Sequence, residues 1–181
     1  MKCIHNKFLL REANIKDIDI IADIMQTVFE EMLDKSLYVC KDRNYVQSRL
    51  TLYGFGVVAE VDNKIVGFLL CNYPEKEKNN LGIDIGLSDE ELNKVVHMEN
   101  AAVLKEYRGN GLEKELLKYA ETLLDKHIKY SLTTISPYNI ASCKSVENLD
   151  YKLMITKLKY GGLRRRIYCK YFNDIDNNEG I

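Results

Sequence analysis

The chain has 181 residues, 46% apolar, 29% charged and 9% aromatic, and its 26 basic and 27 acidic side chains give a net charge of −1. That length and balance suit one globular domain, residues 1–173, ahead of a polar tail at 174–181, and give no global attraction to nucleic acid or to a membrane surface. No apolar run nears the roughly 20 residues needed to cross a bilayer, and "MKCIHNKFLL" lacks the apolar stretch of a signal peptide, so the expected location is cytoplasmic.

In chain order, residues 8–12 (FLLRE) predict a strand. Ile18, Ile21, Ala22, Met25, Phe29 and Met32 then recur at helical spacing, behind Asn14 and Asp17 as candidate caps. Tyr45, Arg49, Leu50 and Tyr53 predict a second helix ending at Gly54. "FGVVAEV" and "KIVGFLLCNY" form a hairpin through Asp62-Asn63, followed by a polar insertion at about 75–93. Residues 94–104 resume strand character, and Leu112, Leu116, Leu117, Ala120, Leu123, Leu124 and Ile128 predict a helix of about five turns. A strand at 130–136, a short helix after Pro137 and two strands flanking Gly161-Gly162 complete the order β-α-α-β-β-β-α-β-α-β-β. Hairpins mixed with β-α-β crossovers imply an α/β (or α+β) architecture: a mixed, largely antiparallel sheet with helices on both faces.

Five cysteines (Cys3, Cys40, Cys71, Cys143, Cys169) are odd in number, scattered and never in a C-x-x-C pair. They read as reduced, mostly buried thiols, with a nucleophilic Cys143 as the sharper alternative. His5, His97 and His127 are too dispersed for a metal centre, and no metal is expected.

The stretch "VLKEYRGNGLEKELLKYAE" sets two glycines either side of Asn110, after Arg108, where a helix begins. Strand, glycine turn and helix N-terminus together present backbone N–H groups and the positive end of the helix dipole, an arrangement that takes anions. Side chains at Gly109 and Gly111 would hinder the approach of a diphosphate, and Arg108 adds positive charge, so phosphate is the leading ligand class. A simple turn into the helix is the plainer reading. The dinucleotide fingerprint G-x-G-x-x-G fails because its third glycine position holds Lys114, and the G-x-x-x-x-G-K-[ST] loop is absent.

"AAVLKEYRGNGLEKELLKYAE" resembles the coenzyme-A-binding segment of the GNAT superfamily of acetyl-CoA-dependent N-acetyltransferases, written [Q/R]-x-x-G-x-[G/A], with Arg108 and Gly111 in place. "SPYNIASCKSVENLDY" resembles the family's second segment through Asn139, Ser142 and Tyr151, and the element order agrees over most of the chain. The resemblance implies that the strand at 94–104 splays from its neighbour at 130–136, leaving backbone groups near Ala101 and Val103 for the pantetheine arm of acetyl-CoA. It implies that the amides of Arg108, Gly109, Asn110, Gly111, Leu112 and Glu113 take the pyrophosphate, and that Asn139 and Ser142 hold the arm from the other side. An N–H near Ala101 or Val103 would polarise the thioester carbonyl.

A primary amine is mostly protonated at neutral pH, so a carboxylate is needed to take its proton. Glu99 is the candidate base, sharing strand parity with Ala101 and Val103; His97 is the second choice, and a structural carboxylate is the alternative for Glu99. Three positions depart from the family pattern. Glu113 stands where Gly or Ala is usual, Asp150 replaces a glycine, and Val146 stands where many members place a tyrosine as general acid, leaving Tyr138, Tyr151 or water for that step.

The insertion carries six acids and two lysines; it reads as a solvated loop, or as a lid favouring a cationic amine. The basic C-terminal hairpin (Lys152, Lys157, Lys159, Arg164, Arg165, Arg166, Lys170) reads as a half-buried strand pair with a wet face, against an alternative of nucleic-acid contact. The expected function is acetyl transfer from acetyl-CoA to a primary amine of a small molecule or peptide. The alternatives are a non-catalytic acyl-CoA-binding or sensor module and a dinucleotide enzyme; a homodimer is left open.

Overall fold

The computed structural model describes residues 8–172; Cys3, His5 and the tail at 174–181 lie outside the described residues. The chain forms two compact units, one of residues 1–72 and 98–123, the other of 73–97 and 124–181. Strand order is β1-β2-β3-β4-β5-β7-β6 in a mixed, mostly antiparallel seven-stranded sheet, the α/β class expected. These strands are Leu9–Glu12, Gly54–Val61, Lys64–Asn72, Val95–Val103, Tyr130–Ile135, Lys152–Lys159 and Leu163–Tyr171 for β1 to β7.

The first unit is built around β2 and β3. Asp62 and Asn63 adopt φ of 50° and 61°, the left-handed pair that a two-residue hairpin turn requires. The pairing runs to Gly54↔Asn72, where a Cβ at Gly54 would lie 2.0 Å from the Cys71 carbonyl oxygen. Gly54 is therefore fixed by strand contact as well as by ending the preceding helix. Upstream, the Asn14 side chain accepts from the Lys16 N–H at 3.0 Å and Asp17 accepts from the Asn14 N–H at 2.8 Å, starting the turn that runs into α1 (Ile18–Glu31). α1 buries Ile18, Ile21, Ile24, Met25 and Val28. α2 (Arg43–Ser48) is capped by Asp42 and widens into a π turn at Arg49–Tyr53.

Ile21, Met25, Val46, Val58, Phe68, Leu70 and Ala102 share one core cluster. Gly67 alternates with Phe68, and a Cβ there would meet Val103 at 3.2 Å and Leu112 at 3.5 Å. Helices thus cover both faces of β3 within this unit. Among the described residues, the helix beginning at Leu112, which follows two four-residue helices of the second unit, ends at Thr122 after 11 residues, short of the five turns expected. Leu123 closes it, and a turn in which Ile128 N–H donates to Asp125 O redirects the chain toward β5; no glycine or proline marks that stop.

In the second unit the insertion is not a solvated loop. It folds into α3 (Leu81–Asp84) and α4 (Asp89–Leu92), and Leu81 joins Val95, Leu132, Ile167 and Cys169 in a core cluster. Asn80, 1% exposed, ties the segment together: its Nδ2 donates to Leu92 O at 3.2 Å and its Oδ1 accepts from Gly82 N–H at 2.8 Å. Asp84 pairs with Lys157 at 3.0 Å and with Lys159 at 2.5 Å, so part of the insertion's negative charge meets the basic hairpin. β5 pairs with β7 and β7 with β6, all antiparallel; α5 and α6 are the helices Leu112–Thr122 and Ile140–Glu147. Among the described residues no helix is long and apolar enough to cross a membrane, and no group of three or more His, Cys, Asp or Glu is arranged to hold a metal.

Candidate active site

The glycine turn lies where the sequence places it, between β4 and α5. Gly109 has φ +80° and Gly111 φ +72°, and Gly111 is the N-cap of α5. A Cβ at either position would find no protein atom within 4 Å, so the glycines answer a backbone conformation and open outward rather than making room for packing. The Glu115 N–H donates to Gly111 O at 3.2 Å; as at every helix start, first-turn amides lie ahead of the ladder. Leu112 is buried and anchors the helix start, while Glu113 and Glu115 set acidic charge in its first turn. Asn110 Nδ2 reaches back to Tyr107 O at 3.1 Å and braces the loop.

Arg108 is engaged within its own unit. Its Nε donates to Val103 O at 2.8 Å, and its Nη2 lies 3.6 Å from Glu31 Oε2. The guanidinium therefore ties the turn to the end of β4, and its charge is shared with Glu31. Asn110 and Arg108 together make the loop a stiff frame around the two left-handed glycines.

On β4, Glu99, Ala101 and Val103 are each half-buried while Met98, Asn100 and Ala102 are buried, yet the ends of the series face different ways: Glu99 meets Tyr45 and Arg49, whereas Val103 lies by Gly67 on the side of Leu112. The Glu99 carboxylate is turned onto α2: Arg49 Nε donates to Oε2 at 2.7 Å, and the Tyr45 hydroxyl donates to the same oxygen. Arg49 also stacks on the Tyr45 ring, 4.3 Å from its centroid. Burial, then the charge of Glu99, pushes the Tyr45 phenol well above its ordinary range, so it stays a neutral donor. Burial disfavours the charge on Arg49, yet the bond to Glu99 leaves its pKa raised. The second-choice base, His97, is 4% exposed and accepts the Leu81 N–H on Nε2 at 3.0 Å, a structural use that fixes its ring against α3.

In the second unit, Asn139 caps α6 and accepts from the Ser142 N–H at 3.2 Å, which brings these two expected residues together. Val146 is 2% exposed and packs in the core. Tyr151 is buried with its hydroxyl 2.6 Å from Ser131 Oγ, whereas Tyr138 is 69% exposed. Cys143 is buried, 3.8 Å from Arg166 Nη1 and 3.7 Å from Ser136 O. The Tyr168 hydroxyl donates to Glu147, the residue after Val146, at 2.9 Å from a fully buried ring. β4 and β5 pair in parallel at Val95↔Tyr130, Val96↔Ser131 and His97↔Leu132.

Tyr45 and Arg49 are the residues that sequence reasoning did not assign to the site. Their four-residue spacing places them on one helical face, a signal that reads as packing until β4 supplies a carboxylate. Tyr168 carries no local signal at all.

The family model described as the acetyltransferase (GNAT) family matches residues 19–151. No curated protein sequence matches the chain. Among solved structures, the ribosomal-protein-S18-alanine N-acetyltransferase from Escherichia coli superposes with a TM-score of 0.69 at 13% identity, over 97% of this chain and 100% of that one. NAA60 from Arabidopsis thaliana, in complex with a bisubstrate analogue, gives 0.69 at 13% identity over 92% and 99%. The structure of yncA from Salmonella typhimurium with its cofactor acetyl-CoA gives 0.68 at 15% identity over 93% and 95%. At these identities the likeness is one of fold, and the family match runs through both the glycine turn and α6. The chain belongs to the GNAT family of acetyltransferases.

Proposed function

We propose that this chain transfers the acetyl group of acetyl-CoA to a primary amine of a small molecule or peptide by direct attack, as one cytoplasmic domain over residues 1–173. The observation that carries the reading is the turn of left-handed Gly109 and Gly111 opening onto the N-terminus of α5, with open space at both Cβ positions. The amides from Arg108 to Glu113 are assigned to the pyrophosphate, backbone groups at Ala101 and Val103 to the pantetheine arm, and Asn139 and Ser142 to its other side. The three-pair ladder of β4 with β5, ending at His97↔Leu132, is in keeping with a strand that serves the arm beyond that point. Bound acetyl-CoA supplies an activated acyl thioester.

The chain's own part is positional and electrostatic. An N–H near Ala101 or Val103 stabilises charge developing on the carbonyl oxygen. Glu99, paired with Arg49 at 2.7 Å, accepts the proton that the attacking amine loses. Its oxygen is already shared with Arg49 and Tyr45, so most of the rate comes from holding amine and thioester together. With Val146 in the core, protonation of the departing thiolate falls to Tyr138 or water.

Thermal stabilisation by acetyl-CoA, compared with CoA, NAD and ATP, tests the cofactor assignment, because a ligand selective for the native state raises its melting temperature. Thiol release across a panel of amines, peptides and aminoglycosides tests the chemistry. A second reading, a non-catalytic acyl-CoA-binding module, is favoured by the buried Val146 and by a Glu99 already held by two partners. Tight acetyl-CoA binding with no thiol release on any acceptor selects it; stabilisation by NAD alone overturns both.

A further inference from the structure

A group that takes a proton must stand within hydrogen-bond reach of it and in a set direction. β4 fixes where the backbone of Glu99 lies, but a glutamate side chain keeps several rotatable bonds beyond its strand. The contacts that direct its carboxylate come from α2. Arg49 reaches it through Nε at 2.7 Å while its Nη1 points to Ser48 Oγ at 3.4 Å, so the guanidinium meets the carboxylate with one prong of its fork. The Tyr45 hydroxyl donates a second bond, to the same oxygen.

Tyr45 is itself firmly mounted. Its N–H donates to the Asp42 side chain at 2.8 Å, its carbonyl accepts from the Ser48 hydroxyl at 2.7 Å and from the Arg49 N–H, and Val46 beside it is fully buried. The Arg49 guanidinium stacks 4.3 Å from the centre of its ring, and Lys41 Nζ lies 5.2 Å from the same point. Burial, then the charge of Glu99, keeps the phenol protonated, so its hydroxyl remains a donor.

We propose that Tyr45 is a positioning residue for the transfer: its hydroxyl holds the Glu99 carboxylate in the orientation from which it takes the proton of the attacking amine. A side chain held through one bond swings about it, a second donor on the same oxygen narrows that swing, and a displacement of about 1 Å at a reacting group costs on the order of 100-fold in rate. In the step itself an N–H bond of the amine breaks as an O–H bond forms on Glu99, and Tyr45 keeps its own proton. The inference rests on the reading of Glu99 as proton acceptor given above, and it assigns Tyr45 no contact with the reacting atoms.

The test is a double-mutant cycle on the full chain: wild type, Tyr45→Phe, Glu99→Gln and the double variant. Tyr45→Phe keeps the ring under Arg49 and removes only the hydroxyl. Thiol release from acetyl-CoA is followed with phenethylamine, alaninamide and kanamycin, the fastest of the three in wild type serving for all variants. Tyr45→Phe is expected to lower kcat by about tenfold while the amine KM and the acetyl-CoA affinity stay within about twofold. In the Glu99→Gln background the same change is expected to move kcat by less than about twofold, because a residue acting through Glu99 has nothing left to position. Tyr130→Phe is the matched control: it removes a tyrosine–carboxylate bond of the second unit, to Glu91 at 2.5 Å, and should leave kcat within about twofold of wild type. Wild-type kcat in Tyr45→Phe, a loss that appears in the amine KM instead, a full tenfold loss repeated in the Glu99→Gln background, or an equal loss in Tyr130→Phe each overturns the proposal. Full activity of Glu99→Gln, or no thiol release from wild type with any of the three amines while acetyl-CoA is bound, overturns the reading beneath it and this role with it, a result distinct from the other four.

Discussion

Arg49 and Glu99 meet at 2.7 Å, Nε to Oε2, with side chains only 12% and 16% exposed, and the Tyr45 hydroxyl closes on the same carboxylate oxygen. α2 and β4 are thereby joined through the one acidic side chain that the strand offers near the proposed reaction. Glu99 neutralises a largely buried guanidinium, and it is also the residue proposed above as the proton acceptor.

Those two roles separate by substitution. Glu99→Gln keeps the shape but leaves Arg49 charged and unpaired, so the unfolding free energy in urea is expected to fall by about 3 kcal/mol, the lower end for breaking a buried pair because both side chains keep some water. Loss of a proton acceptor should lower kcat/KM by about 100-fold. Arg49→Lys retains a charge for Glu99 and should keep turnover within tenfold of wild type. A Glu99→Gln protein with reduced stability and unaltered kcat/KM would leave Glu99 a purely structural residue.

At the glycine turn, Gly111→Ala asks for a left-handed residue with a side chain, at φ +72°. The added methyl meets no protein atom, so the cost is conformational, about 1–2 kcal/mol and about 2–8 °C in Tm. The methyl points into the space assigned to the pyrophosphate, and acetyl-CoA should lose at least tenfold in affinity, read by calorimetry. A variant with the Tm loss but full affinity would place the diphosphate elsewhere.

At the other end of the first unit, Arg11 binds Asp17 at 2.7 and 2.9 Å and Glu60 at 2.7 Å. The hydrogen bond from Arg11, ahead of opposing burial, holds the Asp17 carboxyl below its ordinary range. A folded pKa below the unfolded value means that the contribution is complete above about pH 4 and fades as pH falls through the folded pKa. Asp17→Asn should therefore cost about 1.5–3 kcal/mol at pH 7, and the gap to wild type should narrow as pH is taken toward 2. Urea midpoints at pH 7, 4 and 2.5 measure it; a gap that stays constant over that range would assign Asp17's effect to its capping geometry alone.

The parts of this fold that the sequence displays are those written in local chemistry. Asp62-Asn63 demands a hairpin, Asn14 with Asp17 starts a helix, and Gly109 with Gly111 marks a left-handed turn, because each involves residues within a few positions of one another. The end of α5 at Thr122 is not legible, since Leu123, Leu124 and Ile128 continue the apolar spacing and only the turn closed by Asp125 stops it. Nor is the buried role of the insertion: its acidic composition hides Asn80 and Leu81, whose burial depends on strands far away in sequence. The same holds for the site. Glu99 is identifiable by its place on β4, but its capture by Tyr45 and Arg49 spans some fifty residues, and no periodicity within α2 reveals a carboxylate partner.

The last step of the proposed chemistry divides the tyrosines. Tyr151 has its hydroxyl committed to Ser131 at 2.6 Å inside the second unit, and Tyr168 is fully buried with its hydroxyl on Glu147 at 2.9 Å. Burial, ahead of its bonds, raises the Tyr168 phenol far above neutral pH, which makes it a poor proton donor. Tyr138 alone of the three is exposed. Tyr151→Phe and Tyr168→Phe should each cost about 1 kcal/mol or more of stability, through the polar partner left behind, with kcat held within threefold of wild type. Tyr138→Phe should leave stability unchanged. If Tyr138 protonates the thiolate, kcat for this variant falls at least tenfold with acetyl-CoA affinity retained; if kcat is unmoved, the proton comes from water, and a solvent isotope effect on kcat shared by Tyr138→Phe and wild type is the expected signature.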